Sequence, residues 1–257
     1  MSGRRHEKII HILLKNIFRK KLKPGDKLPT ERQLSEEHQV DRSSLRIALK
    51  QLEAMGVLDI RQRDGVYVKN YFKYAGIDFL KVLFSYKEEA GEDPMIDQYI
   101  VEELLNFYIE FFPSMLKASL RQFSPRDVKT LLDLCQDTLE NLDDHTKIVK
   151  NDFKFLNLIA ERTNNMVFVL IANSVAPIRS KILLYFLDTM STQDLREQIE
   201  IQESIARGFV NDLEGDASKV VDIYRKYLIS QKKLIKSRWL HVKDNSEKVT
   251  NFLKNSS

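Results

Sequence analysis

Leu22-Lys-Pro-Gly-Asp-Lys-Leu-Pro-Thr-Glu-Arg-Gln-Leu-Ser35, followed by Val40-Asp-Arg-Ser-Ser-Leu-Arg-Ile-Ala-Leu-Lys-Gln-Leu-Glu-Ala-Met-Gly-Val-Leu58, decides the fold of the first quarter of the chain. Pro24-Gly25 makes a turn. Thr30 and Gln33 have the spacing of a capping box, in which the hydroxyl covers the third backbone N–H and the amide reaches back to the cap. The short helix that follows buries Leu34 and stops near His38. Gln39-Val40 turn the chain, and Asp41 caps a second helix that runs to Met55. Leu45, Ala48, Leu49 and Leu52 form its core stripe, which leaves Arg42, Ser43 and Arg46 outward. Gly56 stops the helix.

The flanks complete a domain. Upstream, Ile9, Ile10, Leu13, Leu14, Ile17 and Phe18 recur at three- and four-residue spacings, an amphipathic helix over Glu7–Lys21. Downstream, Val57–Ile60 and Val66–Val68 bracket Arg61-Gln-Arg-Asp-Gly65 and predict a hairpin. Three helices and a hairpin within residues 1–70 predict a winged helix-turn-helix. Charge agrees with a polyanionic partner for this part: residues 1–70 hold 16 basic and 9 acidic side chains, against 16 and 26 in residues 71–224 and 9 and 2 in residues 225–257.

From Tyr71 onward helical patterns dominate. Breakers at Gly91–Pro94, Pro113, Ser124-Pro125, Asp143–Thr146, Asn164-Asn165, Pro177, Ser191-Thr192 and Gly215 divide about seven helices, roughly 76–89, 95–112, 125–141, 147–162, 166–188, 193–213 and 216–240. Ser124 reads as a cap with Pro125 in the first helical position. The expected organisation is mainly α: a winged helix-turn-helix at 1–70, an all-helical bundle of about six to seven helices at 71–240, and a flexible polar tail at 241–257.

Several function classes drop out. The single cysteine, Cys135, forms neither an internal disulfide nor a multi-thiolate zinc site. The longest uninterrupted apolar runs, such as Val167–Ala172, fall short of a membrane span, and the basic N-terminus lacks an apolar signal core. A cytoplasmic protein without a membrane partner is expected. No Gly-x-Ser-x-Gly, His-Glu-x-x-His, phosphate-cradling glycine loop or Cys/His set points to an enzyme.

The two quoted stretches resemble the DNA-binding domain of the GntR family of bacterial transcription regulators. The shared pattern is Pro-Gly-x-x-Leu-Pro-[Ser/Thr]-Glu-Arg-x-Leu, a turn, then Arg-x-[Ser/Thr]-Leu-Arg-x-Ala-Leu-x-x-Leu and a closing glycine, over residues 8–68. Asp41 replaces the usual Ser or Thr and caps equally well. The resemblance implies DNA contacts at Arg32, Arg42, Ser43, Ser44 and Arg46. A recognition helix reads the major groove with its N-terminal residues, and arginine suits guanine. It also implies a wing entering the minor groove, although here Arg63 stands in the place of the family's first glycine and only Gly65 remains. Asp64 would weaken either contact that Arg63 could make.

The helical part is similar to the FadR-type branch, through Asp152-Phe-Lys-Phe155, Arg162-Thr-Asn-Asn165 and Gly215-Asp216-Ala217. Many such bodies hold a metal on one Asp and three His. Asp152 matches the Asp, but Leu156 and Tyr227 stand where two of the imidazoles belong, and no histidine lies near 202–205. One carboxylate without imidazoles is a poor transition-metal site, so no metal and no cofactor are expected. The best-known metal-free regulator of the branch senses long-chain acyl-CoA. Leu156, Tyr227 and aromatics such as Phe111, Phe112 and Phe155 make the expected pocket apolar, which favours a fatty acyl-CoA or other hydrophobic acid, with Asp152, Leu156 and Tyr227 as candidate effector contacts. The resemblance thus implies a homodimeric repressor on a palindromic double-stranded DNA operator, responsive to a small-molecule effector. Two alternatives stay open: a metal-dependent sensor of small carboxylates in the same family, and an architectural DNA-binding protein without a ligand.

Overall fold

The computed structural model describes residues 3–85, 98–187, 190–211 and 218–254. The chain divides into two compact units, Met1–Ile96 and Asp97–Ser257, here the head and the body. The expected breaks at Gly91–Pro94 and Gly215, and the Gly215-Asp216-Ala217 pattern, lie outside the described residues.

In the head, α1 (Gly3–Phe18), α2 (Glu31–Glu37) and α3 (Arg42–Ala54) precede an antiparallel hairpin of β1 (Leu58–Arg61) and β2 (Gly65–Val68). The register pairs Leu58 with Val68 and Arg61 with Gly65. Both helix starts form as their sequences predict. Gln33 N–H donates to the Thr30 hydroxyl at 3.3 Å while Thr30 N–H donates to the Gln33 amide at 2.9 Å. Ser44 N–H donates to the Asp41 carboxylate at 2.8 Å. Ile9, Leu13 and Leu14 of α1 share one buried cluster with Leu34, Leu45, Leu49, Leu52, Leu58 and Val68. Residues just after the Pro24-Gly25 turn add a third edge to the hairpin: Leu28 N–H donates to Val66 O and Val68 N–H to Asp26 O.

The head is larger than the sequence suggests. A single turn α4 (Tyr71–Tyr74) and α5 (Ile77–Ser85) follow the wing, and Phe79 and Leu83 join the head cluster. The boundary expected at 70 therefore falls short of the packing unit, because α5 buries its apolar face against α1. Gly56, in the left-handed region at φ +76, shows why glycine ends α3: a Cβ there would lie 2.1 Å from the Tyr74 carbonyl oxygen.

The body holds α6 (Gln98–Ser119), α7 (Pro125–Leu139), α8 (His145–Glu161), α9 (Met166–Leu187), α10 (Thr192–Asn211) and α11 (Ser218–Lys254). Ser124 caps α7 with Pro125 in its first turn. Three expectations change. Pro113, read as a break, lies inside α6; Phe112, Met115 and Leu116 are buried on either side, and that packing carries the helix past the missing N–H. The chain from 241, expected as a flexible tail, continues α11 as helix to Lys254, and no glycine or proline follows Gly215 to stop it. Finally, Met166–Leu184 of α9 is long and apolar enough, by length and composition, to cross a membrane; Arg179 and Lys181 interrupt the strict runs without making the helix polar. In the body this helix packs on α8, and Met166, Val167 and Leu170 remain exposed.

Candidate nucleic-acid interface and effector site

The first turn of α3 presents an unequal set of side chains. Asp41 accepts the backbone N–H of Ser44, the Ser44 hydroxyl at 2.8 Å and the Ser43 hydroxyl. These donors, the Ser43 hydroxyl first, hold the Asp41 carboxyl well below the usual range. Ser44 is only 1% exposed, so its expected role as a DNA contact is corrected: the sequence period put it near the helix start, but the cap draws it inward. Ser43 stays exposed with its hydroxyl committed to the cap, and Arg42 is exposed beside it. One turn on, the Arg46 side chain is 68% exposed and its Nε donates to Glu31 of α2 at 2.7 Å. Arg32 is exposed, 3.9 Å from Glu36 on its own helix.

The wing tip takes its shape from two positive φ angles, +61° at Arg63 and +145° at Gly65. Arg63 therefore holds a backbone conformation that glycine adopts more readily. Asp64 does not hang free beside it. It accepts the Tyr67 hydroxyl at 2.9 Å and Lys27 Nζ at 3.2 Å, which lower its pKa. The Arg61 guanidinium sits 4.2 Å from the centre of the Tyr67 ring and donates to Asp59 at 2.9 Å. Lys27, which sequence reading missed, thus belongs to the wing through that ion pair and through the extra strand edge.

In the body, the expected effector residues converge. Asp152, Leu156 and Tyr227 are all buried. The centre of their site is a residue the sequence reading did not single out, Arg179 of α9. Its Nε and Nη2 donate to the two Asp152 oxygens at 2.9 and 2.6 Å. The pair is enclosed, with side chains 15% and 7% exposed. Gln202 Nε2 of α10 approaches Asp152 at 3.4 Å, and the guanidinium lies 5.0 Å from the Phe112 ring centre. Burial opposes the Arg179 charge, yet the Asp152 carboxylate beside it raises its pKa. Tyr224 and Tyr227 of α11 and Tyr108 of α6 feel the same pair. Burial pushes the Tyr224 phenol up to about 12 and those of Tyr108 and Tyr227 upward too, so all three remain hydrogen-bond donors. Arg179 is one of two cations, with Lys181, in an otherwise apolar helix, and that was the available signal for it.

Two small cavities flank Asp152, each of about 10 Å³, room for roughly one water. One is lined by Asp152, Asn151, Thr138, Gln198 and Gln202 together with apolar side chains. The other has Asp152 and Arg179 against Phe112, Leu156, Ala172 and Val175. The site is thus an ion pair with hydrocarbon on the Arg179 side and amide and hydroxyl side chains on the other, more polar than the sequence suggested. The donor set does not fit a metal: Arg179 takes both Asp152 oxygens, and no group of three or more His, Cys, Asp or Glu comes together among the described residues. Cys135 lines the first cavity as a buried thiol that burial pushes up to about 12.

Residues 5–68 match the family of bacterial regulatory proteins named gntR. That segment is a GntR-family helix-turn-helix domain. The GntR match ends at the last residue of β2 and covers the first turn of α3 and the wing, but not α4 and α5. Across 138 residues the chain is 31% identical to the HTH-type transcriptional regulator Mce2R of Mycobacterium tuberculosis, a span that covers 53% of each chain. The chain therefore matches about half the length of that relative. It is 25% identical over 240 residues to the fatty acid metabolism regulator protein of Shewanella sp. strain MR-7, covering 91% of this chain and 89% of the relative. Among solved structures, Lar, which controls expression of the Listeria monocytogenes agr system, aligns with a TM-score of 0.55 at 15% identity, over 91% of this chain and 96% of Lar. McbR/YncC of E. coli aligns at 0.51 with 15% identity, over 91% of this chain and 98% of its own. These two likenesses concern the fold alone.

Proposed function

We propose that this chain is a cytoplasmic transcription regulator, not an enzyme, whose GntR heads bind double-stranded DNA as a homodimer and whose body answers to a metabolite of fatty-acid chemistry. The observation that carries the DNA reading is the first turn of α3, where Asp41 occupies both serine hydroxyls and Arg42 and Arg46 remain exposed. Arginines at that place suit guanine edges in the major groove. One recognition helix spans few base pairs, so two heads on a palindrome supply the specificity. Arg32, Arg63 and Lys27 add phosphate or minor-groove contacts. Repression is the expected sign. The fatty-acid part draws on the Shewanella relative, to which this chain aligns at 25% identity over 91% of its own length and 89% of the relative's.

Selection from random double-stranded DNA tests the reading. The intact chain should enrich a palindromic motif, and Arg42→Ala should lose that enrichment while remaining folded. Failure to enrich any motif, with the intact chain folded, would sink it. A second reading, a DNA-binding architectural protein without a ligand, draws on the small size of the two body cavities. Ligand titration of the body separates the two.

A further inference from the structure

We propose that Asp152 is an internal stand-in for the effector, and that the effector is an aliphatic monocarboxylate whose free carboxylate replaces Asp152 on Arg179. The proposal rests on the reading of the body as an effector domain and narrows its ligand to a free acid, as distinct from a thioester or an amide. Arg179 offers a planar fork whose two donors meet a carboxylate in parallel, the geometry guanidinium shares with any carboxylate of similar access. A buried charge pair of this kind stabilises a fold weakly, so an ion pair this enclosed, with side chains 15% and 7% exposed, calls for another role.

The surroundings supply what an exchange requires. On the Arg179 side, the cavity is walled by Phe112, Leu156, Ala172 and Val175, and Phe153, 39% exposed, sits at its surface end. Ala172, Ala176 and Ser180 recur at four-residue spacing on α9 and line the same cavity, so this helix presents a row of small side chains along which a hydrocarbon tail can lie. On the opposite side, the cavity bearing Gln198 and Gln202 receives the displaced Asp152. Gln202 already points its amide at Asp152. The Gln198 Oε1 atom is buried without a hydrogen-bond partner, and turning that amide presents its N–H groups to the arriving carboxylate. The Tyr108 hydroxyl, also buried without a partner and close enough for both charges to act on it, is a donor for the incoming carboxylate. Because each cavity is small, the ligand opens the gap between α8 and α9 as it enters, and that displacement is what a conformational signal consists of.

The test uses the full chain with octanoate, octanamide and octanoyl-CoA as probes, read by calorimetry and by the shift in melting temperature. The unaltered chain should bind octanoate and neither of the other two. Asp152→Asn removes the internal competitor, so its octanoate affinity should rise at least tenfold and octanoate should raise its melting temperature more than that of the unaltered chain. Asp152→Asn combined with Arg179→Gln leaves a neutral pair, should fold, and should lose octanoate binding. Equal affinity of the unaltered chain and Asp152→Asn for octanoate, equal binding of octanamide, or octanoate retained by the double variant would each overturn the proposal. Motif enrichment from random DNA, measured on the same preparations, reports separately on the DNA reading.

Discussion

Arg46 of α3 and Glu31 of α2 are joined at 2.7 Å across the two helices of the DNA-reading motif. The arginine proposed to meet a base is thus already partnered when DNA arrives, and a phosphate or base edge has to win it from a carboxylate. Exposed pairs of this kind are worth up to about 1 kcal/mol. Glu31→Gln should therefore strengthen DNA binding by about two- to fivefold at low salt, and less at high salt, in a fluorescence-anisotropy titration. Weaker binding would mean that Glu31 positions Arg46 for contact.

Removal of the arginines should act in the opposite direction. Arg42→Ala and Arg46→Ala should each cost about 1–3 kcal/mol at the selected palindrome. Both variants should keep the melting temperature of the unaltered chain, since neither side chain is buried. Unchanged affinity in both folded variants would remove α3 from the interface.

Arg63 stands at φ +61 in the wing, where a side chain costs about 1–2 kcal/mol relative to glycine. Arg63→Gly should hold or raise thermal stability and should lower the slope of log affinity against log salt by about one. A falling melting temperature would show that the Arg63 side chain supports the hairpin.

Gly56 admits no such exchange. A methyl group there meets the Tyr74 carbonyl at 2.1 Å, and the backbone sits at φ +76. Gly56→Ala should destabilise the head by about 1–3 kcal/mol, measured by denaturant titration, by pushing α4 away from the end of α3.

Asp127 joins the start of α7 to the end of α8: it serves the Ser124 cap and takes two hydrogen bonds from Arg162, at 2.7 and 2.9 Å. The Arg162 hydrogen bonds, foremost among these contacts, hold its pKa below the ordinary value. A depressed carboxyl pKa contributes stability that is complete above the unfolded value of about 3.9 and disappears as pH falls toward the folded one. Asp127→Asn should therefore lose about 1–3 kcal/mol at neutral pH, and the gap from the unaltered chain should narrow below pH about 4. A gap that stays constant with pH would assign the loss to the cap alone.

The head was legible in the sequence because each of its devices is local. Thr30 and Gln33 are three residues apart, Asp41 and Ser44 likewise, and the core stripe of α3 repeats within one helix. The same local reading erred at Ser44, because its burial depends on which way the Asp41 cap draws the chain. It missed Glu31 as the partner of Arg46, 15 residues away. The body was legible as helices and opaque as a site. Asp152 and Arg179 lie 27 residues apart on different helices, and no spacing rule connects them. Pro113 misled for a related reason: tertiary burial of Phe112, Met115 and Leu116 outweighed a local preference.

Cys135 has a practical consequence. It is the only sulfhydryl in 257 residues, buried, and pushed up to about 12, so at neutral pH almost none of it is the reactive thiolate. Maleimide and nitroxide reagents will pass it by in the folded protein. A cysteine placed at an exposed position of the head can then be tagged alone, without first removing the natural one. In the proposed homodimer, the separation between two tagged copies, read by spin-label or fluorescence spectroscopy with and without the proposed effector, becomes measurable on a chain altered at one position.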